Sequence, residues 1–207
     1  MRELDFSNCA TSCLPERSAV TTRLCGDYAV EIFHQAEAIA AEWRTLEAYS
    51  NDPYSSRAWV GSWYKACEQI PDYTPTIILG RNQTQSPEFI LPLVKRKLGP
   101  FNLLVRPGHK HSTYYRGLFS PGFEKFISGS DSAEFWSSVF STVPKADVVV
   151  LDGIFEGDEG DDNPLSQMPG IKSSNSAFRM ELIGDWENQY KDLTNSKDRS
   201  NDTRCKR

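Results

Sequence analysis

The apolar residues of this chain change their spacing several times, and each spacing admits one kind of backbone. Tyr28-Ala-Val-Glu-Ile-Phe33 alternates and is rich in strand formers. From Gln35 to Tyr49 the apolar positions Ala36, Ile39, Trp43 and Leu46 step by three and four, the stripe of an amphipathic helix. Asn51-Asp52-Pro53 ends it. Ser55 or Ser56 is placed to cap a second helix, predicted to carry Trp59, Trp63, Ala66 or Cys67, and Ile70 on one face. Pro71 closes that helix. Strand patterns return at 74–80 and 88–94, with the polar 81–87 as their hairpin loop. Two more follow at 101–106 and 114–119, punctuated by Gly99-Pro100 and Pro107-Gly108. Ser130 or Asp131 is placed to cap a helix running to about Thr142, with Phe135, Trp136, Val139 and Phe140 inward. Asp147-Val-Val-Val-Leu151 is a continuous apolar run, the pattern of a strand buried on both faces. The expected fold is α/β (α+β): a mixed, mostly antiparallel sheet flanked by helices.

The chain has 207 residues, enough for one ordinary domain. Residues 1–26 are polar, show no clear period and read as a flexible leader. Residues 27–190 hold the patterned segments, including an acidic loop at 156–162, a strand candidate at 177–183 and the first turn of a helix candidate at 186–193. Residues 191–207 carry six basic and three acidic residues and no apolar stripe. Such an end is expected to lead into something further rather than to close a fold.

The formal net charge of -5 argues against a general nucleic-acid binder, which needs a basic footprint to displace counterions. No apolar run approaches the roughly 20 residues of a membrane span. The start has no apolar stretch of the kind a secretory signal needs. Five Cys without a C-x-x-C pair read as reduced thiols in a cytoplasmic protein.

The densest set of functional side chains is Arg106-Pro-Gly-His-Lys-His-Ser-Thr-Tyr-Tyr-Arg-Gly117. On an extended backbone His109 and His111 face one side, and either could act as a base near neutral pH. A metal is not expected, because a catalytic zinc wants a third ligand and His34 is remote. The plain reading is a polar loop whose His and Tyr side chains hydrogen-bond the backbone; the functional one is a substrate-pocket lining. Trp43, Trp59 and Trp63 read as core packing rather than a ligand platform. No nucleophile elbow, Walker loop or dinucleotide-binding glycine motif occurs.

The element order resembles the opening of a GNAT-type acyltransferase. Trp43-x-x-Leu46, Pro53-Tyr54-x-Ser56-x-x-Trp59-x-x-x-Trp63 and Leu91-Pro92-Leu93 resemble one bacterial family in its N-terminal half. That family comprises the GNAT acyltransferases of cellulose and exopolysaccharide biosynthesis, distant kin of the Fem-type aminoacyltransferases. Gly108-His109-Lys110-His111-Ser112-x-Tyr114-x-x-Gly117-Leu118 is similar to its loop, commonly Gly-Gly-Lys-His-x-Asn-Tyr/Phe-Asn-x-Gly/Ala-Leu. Here Arg106-Pro107 precedes that loop and Tyr115 stands where Asn is usual. Asn163-Pro164-Leu165 and the segment from Leu193 to Arg207 fit the same pattern.

The resemblance implies acyl transfer from acyl-CoA, with acetyl-CoA as the simplest co-substrate, to a small-molecule or saccharide acceptor. No tightly bound cofactor is implied. It places the acyl-CoA site in a second half, on a glycine-rich turn this sequence does not show. His109 or His111 is then the candidate catalytic base, with Tyr114, Tyr115, Arg116 and Asn163 as substrate contacts. The alternative is a non-catalytic half-domain that acts as a binding or interaction module.

Overall fold

The computed structural model describes residues 21–126, 132–154, 163–168, 170–171 and 184–205. The chain divides into two compact units, Met1–Gly170 and Ile171–Arg207.

The first unit is built on one sheet of seven strands. They are β1 (Thr21–Cys25), β2 (Tyr28–Phe33), β3 (Tyr73–Arg81), β4 (Pro87–Leu98), β5 (Phe101–Val105), β6 (Leu118–Phe119) and β7 (Val148–Val150). The path runs β1-β2-β3-β4-β5-β7, with β6 also on β4. All pairs are antiparallel except β5 with β7. The helices of this unit are α1 (Ala40–Glu47), α2 (Arg57–Cys67), α3 (Pro121–Phe126) and α4 (Ser132–Ser141). The expected mixed, mostly antiparallel sheet flanked by helices is what the chain forms.

Alternation along the strands sends side chains to two cores. Ile77, Leu79, Ile90, Val94, Leu103 and Val105 share one with Trp43 and Leu46 of α1 and Val60 and Tyr64 of α2. Val30, Ile78, Phe89, Leu91 and Leu104 share the other with Phe123 of α3, with Trp136 and Val139 of α4, and with Leu165. Each fully buried side chain of this size contributes on the order of 2–3 kcal/mol. Ser56 caps α2 by accepting from Trp59 N at 3.3 Å, as the sequence allows. On that helix the buried stripe is Val60 and Tyr64, one position along from the predicted Trp59–Trp63 stripe. The two indoles lie half-buried at its flank, and Ile70 is 43% exposed. Arg81 on β3 ties β2 to α1, donating to Glu31 and Glu42 at 2.8 Å each.

Three other expectations are corrected. Thr21–Cys25 is not leader but an edge strand, paired with β2 over five residues. Only Cys25 of it is buried, so no apolar alternation announces it. The 148–150 run is not covered on both faces. It ends the sheet as β7, and Val148 and Val150 stay 44% and 45% exposed while Val149 packs on the α4 side. The 114–119 strand shrinks to Leu118–Phe119 because the chain before it leaves the sheet. The caps at 130–131, the acidic loop 156–162 and the strand candidate 177–183 lie outside the described residues.

The second unit holds α5 (Trp186–Leu193) and α6 (Ser196–Cys205), neither with a buried residue. Asp185 caps α5 by accepting from Asn188 N at 3.0 Å, and Tyr190 Oη donates to Asp202 at 3.1 Å. The division after Gly170 therefore falls before the helix at 186–193, which composition had grouped with the folded half.

Candidate functional site

β5 and β6 both lie antiparallel to β4 along one edge. Four steps along β4, from Ile90 to Val94, face thirteen along its partner, from Val105 to Leu118. Residues 106–117 are therefore an excursion looped out of what would otherwise be a single strand. Interruptions of this kind re-aim side chains and cluster at functional sites. This one departs at the C-terminal end of β5, beside its parallel partner β7. In open sheets, ligands bind at the carboxyl ends of parallel strands. The return leg extends the parallel pairing: Tyr115 N donates to Gly153 O at 2.9 Å, and Tyr115 bridges Ile154.

Arg106 organises the excursion. Its Nη1 donates to Ser112 O at 2.6 Å, which closes the loop on itself. Its Nε and Nη2 donate to the Asp152 carboxylate at 2.6 and 3.3 Å. Ser112 Oγ donates to Pro107 O at 3.3 Å. Tyr54, in the 3-10 turn before α2, shares a hydrogen bond at 3.3 Å with Thr113 Oγ1. At Gly108 (φ +78°) any Cβ would overlap the Trp59 ring and Ser112 Oγ, so the loop sits close against α2.

The sequence-predicted residues meet different fates. His109, Lys110 and His111 form one 3-10 turn, not an extended segment. With about three residues per turn, side chains two apart point roughly 120° from each other, so the imidazoles do not face one side. Both are exposed. Tyr114 is 40% exposed and Arg116 is half-buried. Tyr115 is 4% exposed, its ring in the core and its hydroxyl without a hydrogen-bond partner. Burial pushes that hydroxyl well above the usual tyrosine range; Tyr64 and Asp52 add to this, and Arg106 opposes it. Asn163 is buried and turned to the core, where its Oδ1 accepts from Leu165 N at 3.1 Å and caps the turn Pro164–Gln167. Among the described residues, no group of three His, Cys, Asp or Glu is placed to hold a metal ion.

Asp152 is the residue that sequence reasoning missed, and Arg106 opened the dense polar segment without a role being assigned to it. Each follows an apolar strand run, and the register Val105↔Val150 brings them together. The Arg106 hydrogen bond, against burial and helped by Arg106 and His109 charge, holds the Asp152 carboxyl below its ordinary range. A depressed carboxylate adds stability above its unfolded pKa, and that stability is lost as pH falls through the folded value. The native chain should therefore lose stability more steeply than Asp152→Asn below about pH 4. At higher pH the two curves should run parallel. Urea midpoints measured against pH check this, and coincident acid limbs would contradict it.

No protein-family model, no curated protein and no solved structure matches this chain.

Proposed function

We propose that the first unit is a GNAT-type, acyl-CoA N-acyltransferase-like fold acting on a small-molecule or saccharide acceptor. The observation that carries this reading is the excursion 106–117, looped out beside the β5–β7 parallel pair. The order two strands, two helices, four antiparallel strands, two helices, parallel strand supports it as well. In such a reaction the acceptor amine or hydroxyl attacks the thioester carbonyl. A base takes its proton, and the CoA thiolate leaves. His109 and His111 are exposed imidazoles on the excursion and suit the base role singly, not as a pair. Tyr114 and Arg116 lie on the same segment and would orient the acceptor.

A second reading, a binding module without turnover, is favoured by the same 3-10 turn, which points the two imidazoles apart. Calorimetric titration of the full chain with acetyl-CoA separates the two. Acyl transfer predicts saturable one-to-one binding, and activity toward an amine acceptor that falls about a hundredfold in His109→Ala or His111→Ala. Saturable one-to-one binding overturns the non-catalytic reading, and its absence overturns acyl transfer by this chain on its own, the acyl-CoA site then lying in a second half as the resemblance implies. Unchanged turnover in both variants removes the histidines from the mechanism.

A further inference from the structure

We propose that Arg106 is a receptor for the carboxylate of a small-molecule ligand, and that Asp152 is the internal occupant such a ligand displaces. Arg106 is 5% exposed and its position does not depend on Asp152 alone, because Nη1 is bound to Ser112 O at 2.6 Å. The remaining two donors form a fork, and the Asp152 carboxylate lies across it at 2.6 and 3.3 Å. This planar fork pairs two donors with two acceptor oxygens, and the group that fills it here is a carboxylate. The two partners differ sharply in exposure. The Arg106 side chain is 6% exposed and that of Asp152 is 60% exposed, so the occupied face of a buried cation opens to solvent.

Asp152 lies past the end of β7, outside any regular element. Gly153 beside it is held by the Tyr115 N to Gly153 O bond, so the fork is vacated by a turn of the Asp152 side chain alone. The place is the C-terminal end of the parallel pair, where open sheets take ligands. A second polar group in the neighbourhood has spare capacity. The Tyr115 hydroxyl is buried without a partner, and it feels the charge of Arg106. A buried polar group left unpaired calls for an explanation, and a bound ligand atom would supply one. The inference does not depend on acyl transfer.

The test uses the full chain with acetate as the probe, ionic strength being held constant with chloride. Thermal midpoints are followed against acetate for the native chain, Asp152→Ala, and Asp152→Ala combined with Arg106→Lys. With the internal competitor removed, acetate should raise the midpoint of Asp152→Ala saturably, at a concentration about tenfold lower than for the native chain. Lysine keeps the charge but lacks the fork, so the double variant should not respond. The proposal falls if the native chain and Asp152→Ala respond alike, or if the response survives Arg106→Lys. It falls also if phosphate stabilises Asp152→Ala more than acetate does. Should Asp152→Ala not fold, Asp152→Asn is read in the same way, and an Asn variant without an acetate response overturns the proposal.

Discussion

Trp136→Ala is expected to lower the unfolding free energy by about 4 kcal/mol. The indole is 0% exposed and lies in a ring cluster with Phe89, Phe123, Phe135 and Phe140, at centroid separations between 5.2 and 6.1 Å. Truncation removes the largest side chain of that core and leaves a cavity that the four rings cannot close by small shifts. The indole is also a hydrogen-bond donor: Nε1 donates to Pro164 O at 3.0 Å. That bond ties the turn Pro164–Gln167 to α4, and its loss removes one buried hydrogen bond, at a cost of about 1 kcal/mol. Trp136→Phe helps separate the two contributions, since it keeps an aromatic ring in the cluster and drops the donor with the rest of the indole. It should cost about 2 kcal/mol, or half the alanine loss. Urea unfolding followed at two wavelengths measures both. An alanine loss under about 1 kcal/mol would mean that this core does not stabilise the fold in the way its burial implies.

Much of this core was legible in the sequence, because burial and periodicity report the same physics. The step from two to three-and-four after Phe33 marks where β2 gives way to the helical layer. Trp136, Val139 and Phe140 occupy one face of α4 and are all buried. Where the pattern misled, side-chain size and burial parted company. Trp59 and Trp63 look like a core stripe, yet the smaller Val60 and the hydrogen-bonded Tyr64 face the sheet. Tyr64 Oη donates to Leu93 O at 2.9 Å, so a polar tip is satisfied in the interior. At the sheet edges, backbone pairing alone decides. β1 is held to β2 by main-chain bonds while Thr22, Arg23 and Leu24 face solvent, and no hydropathy pattern reports such a strand. β7 shows the converse: three consecutive valines read as interior, but at an edge only one side has a neighbour.

The candidate site was legible in place but not in wiring. The polarity of 106–117 marked the segment, but residues 114–117, expected as strand, leave the sheet with the rest of it. What holds it is Arg106 with Asp152, 46 residues apart, and no local pattern links two residues at that separation. The same holds for the Tyr54–Thr113 contact, 59 residues apart. Expectations for His109 and His111 rested on an extended backbone. The left-handed Gly108 (φ +78°) followed by His109 (φ +42°) bends the chain into a 3-10 turn instead.

Gly117→Ala is expected to cost about 3 kcal/mol and to loosen the excursion as it does so. Gly117 returns the chain to the sheet at φ +79°, a region an alanine enters at a cost of about 1–2 kcal/mol. Space is equally restrictive. A Cβ there would lie 2.7 Å from Leu91 Cδ2 and 3.1 Å from Ile90 O, on the strand to which β6 pairs next. Leu91 is fully buried and cannot rotate away freely, so relief must come from the backbone at 116–118. That shift falls directly on the Tyr115 N to Gly153 O bond and on the Ile90↔Leu118 pair. Hydrogen exchange at Tyr115 should therefore accelerate by more than global destabilisation explains, while exchange at Ile78 and Leu79 on β3 tracks the global loss. Gly122→Ala is the control: that glycine lies on α3 without positive φ, and its nearest neighbour to a new Cβ is Ser120 Oγ at 3.8 Å. It should leave stability within about 0.5 kcal/mol of the native chain or slightly above it. If Gly117→Ala behaved like Gly122→Ala, the return of the excursion would not be the tight passage its geometry describes, and 106–117 would be a loop that the sheet tolerates rather than one that it shapes.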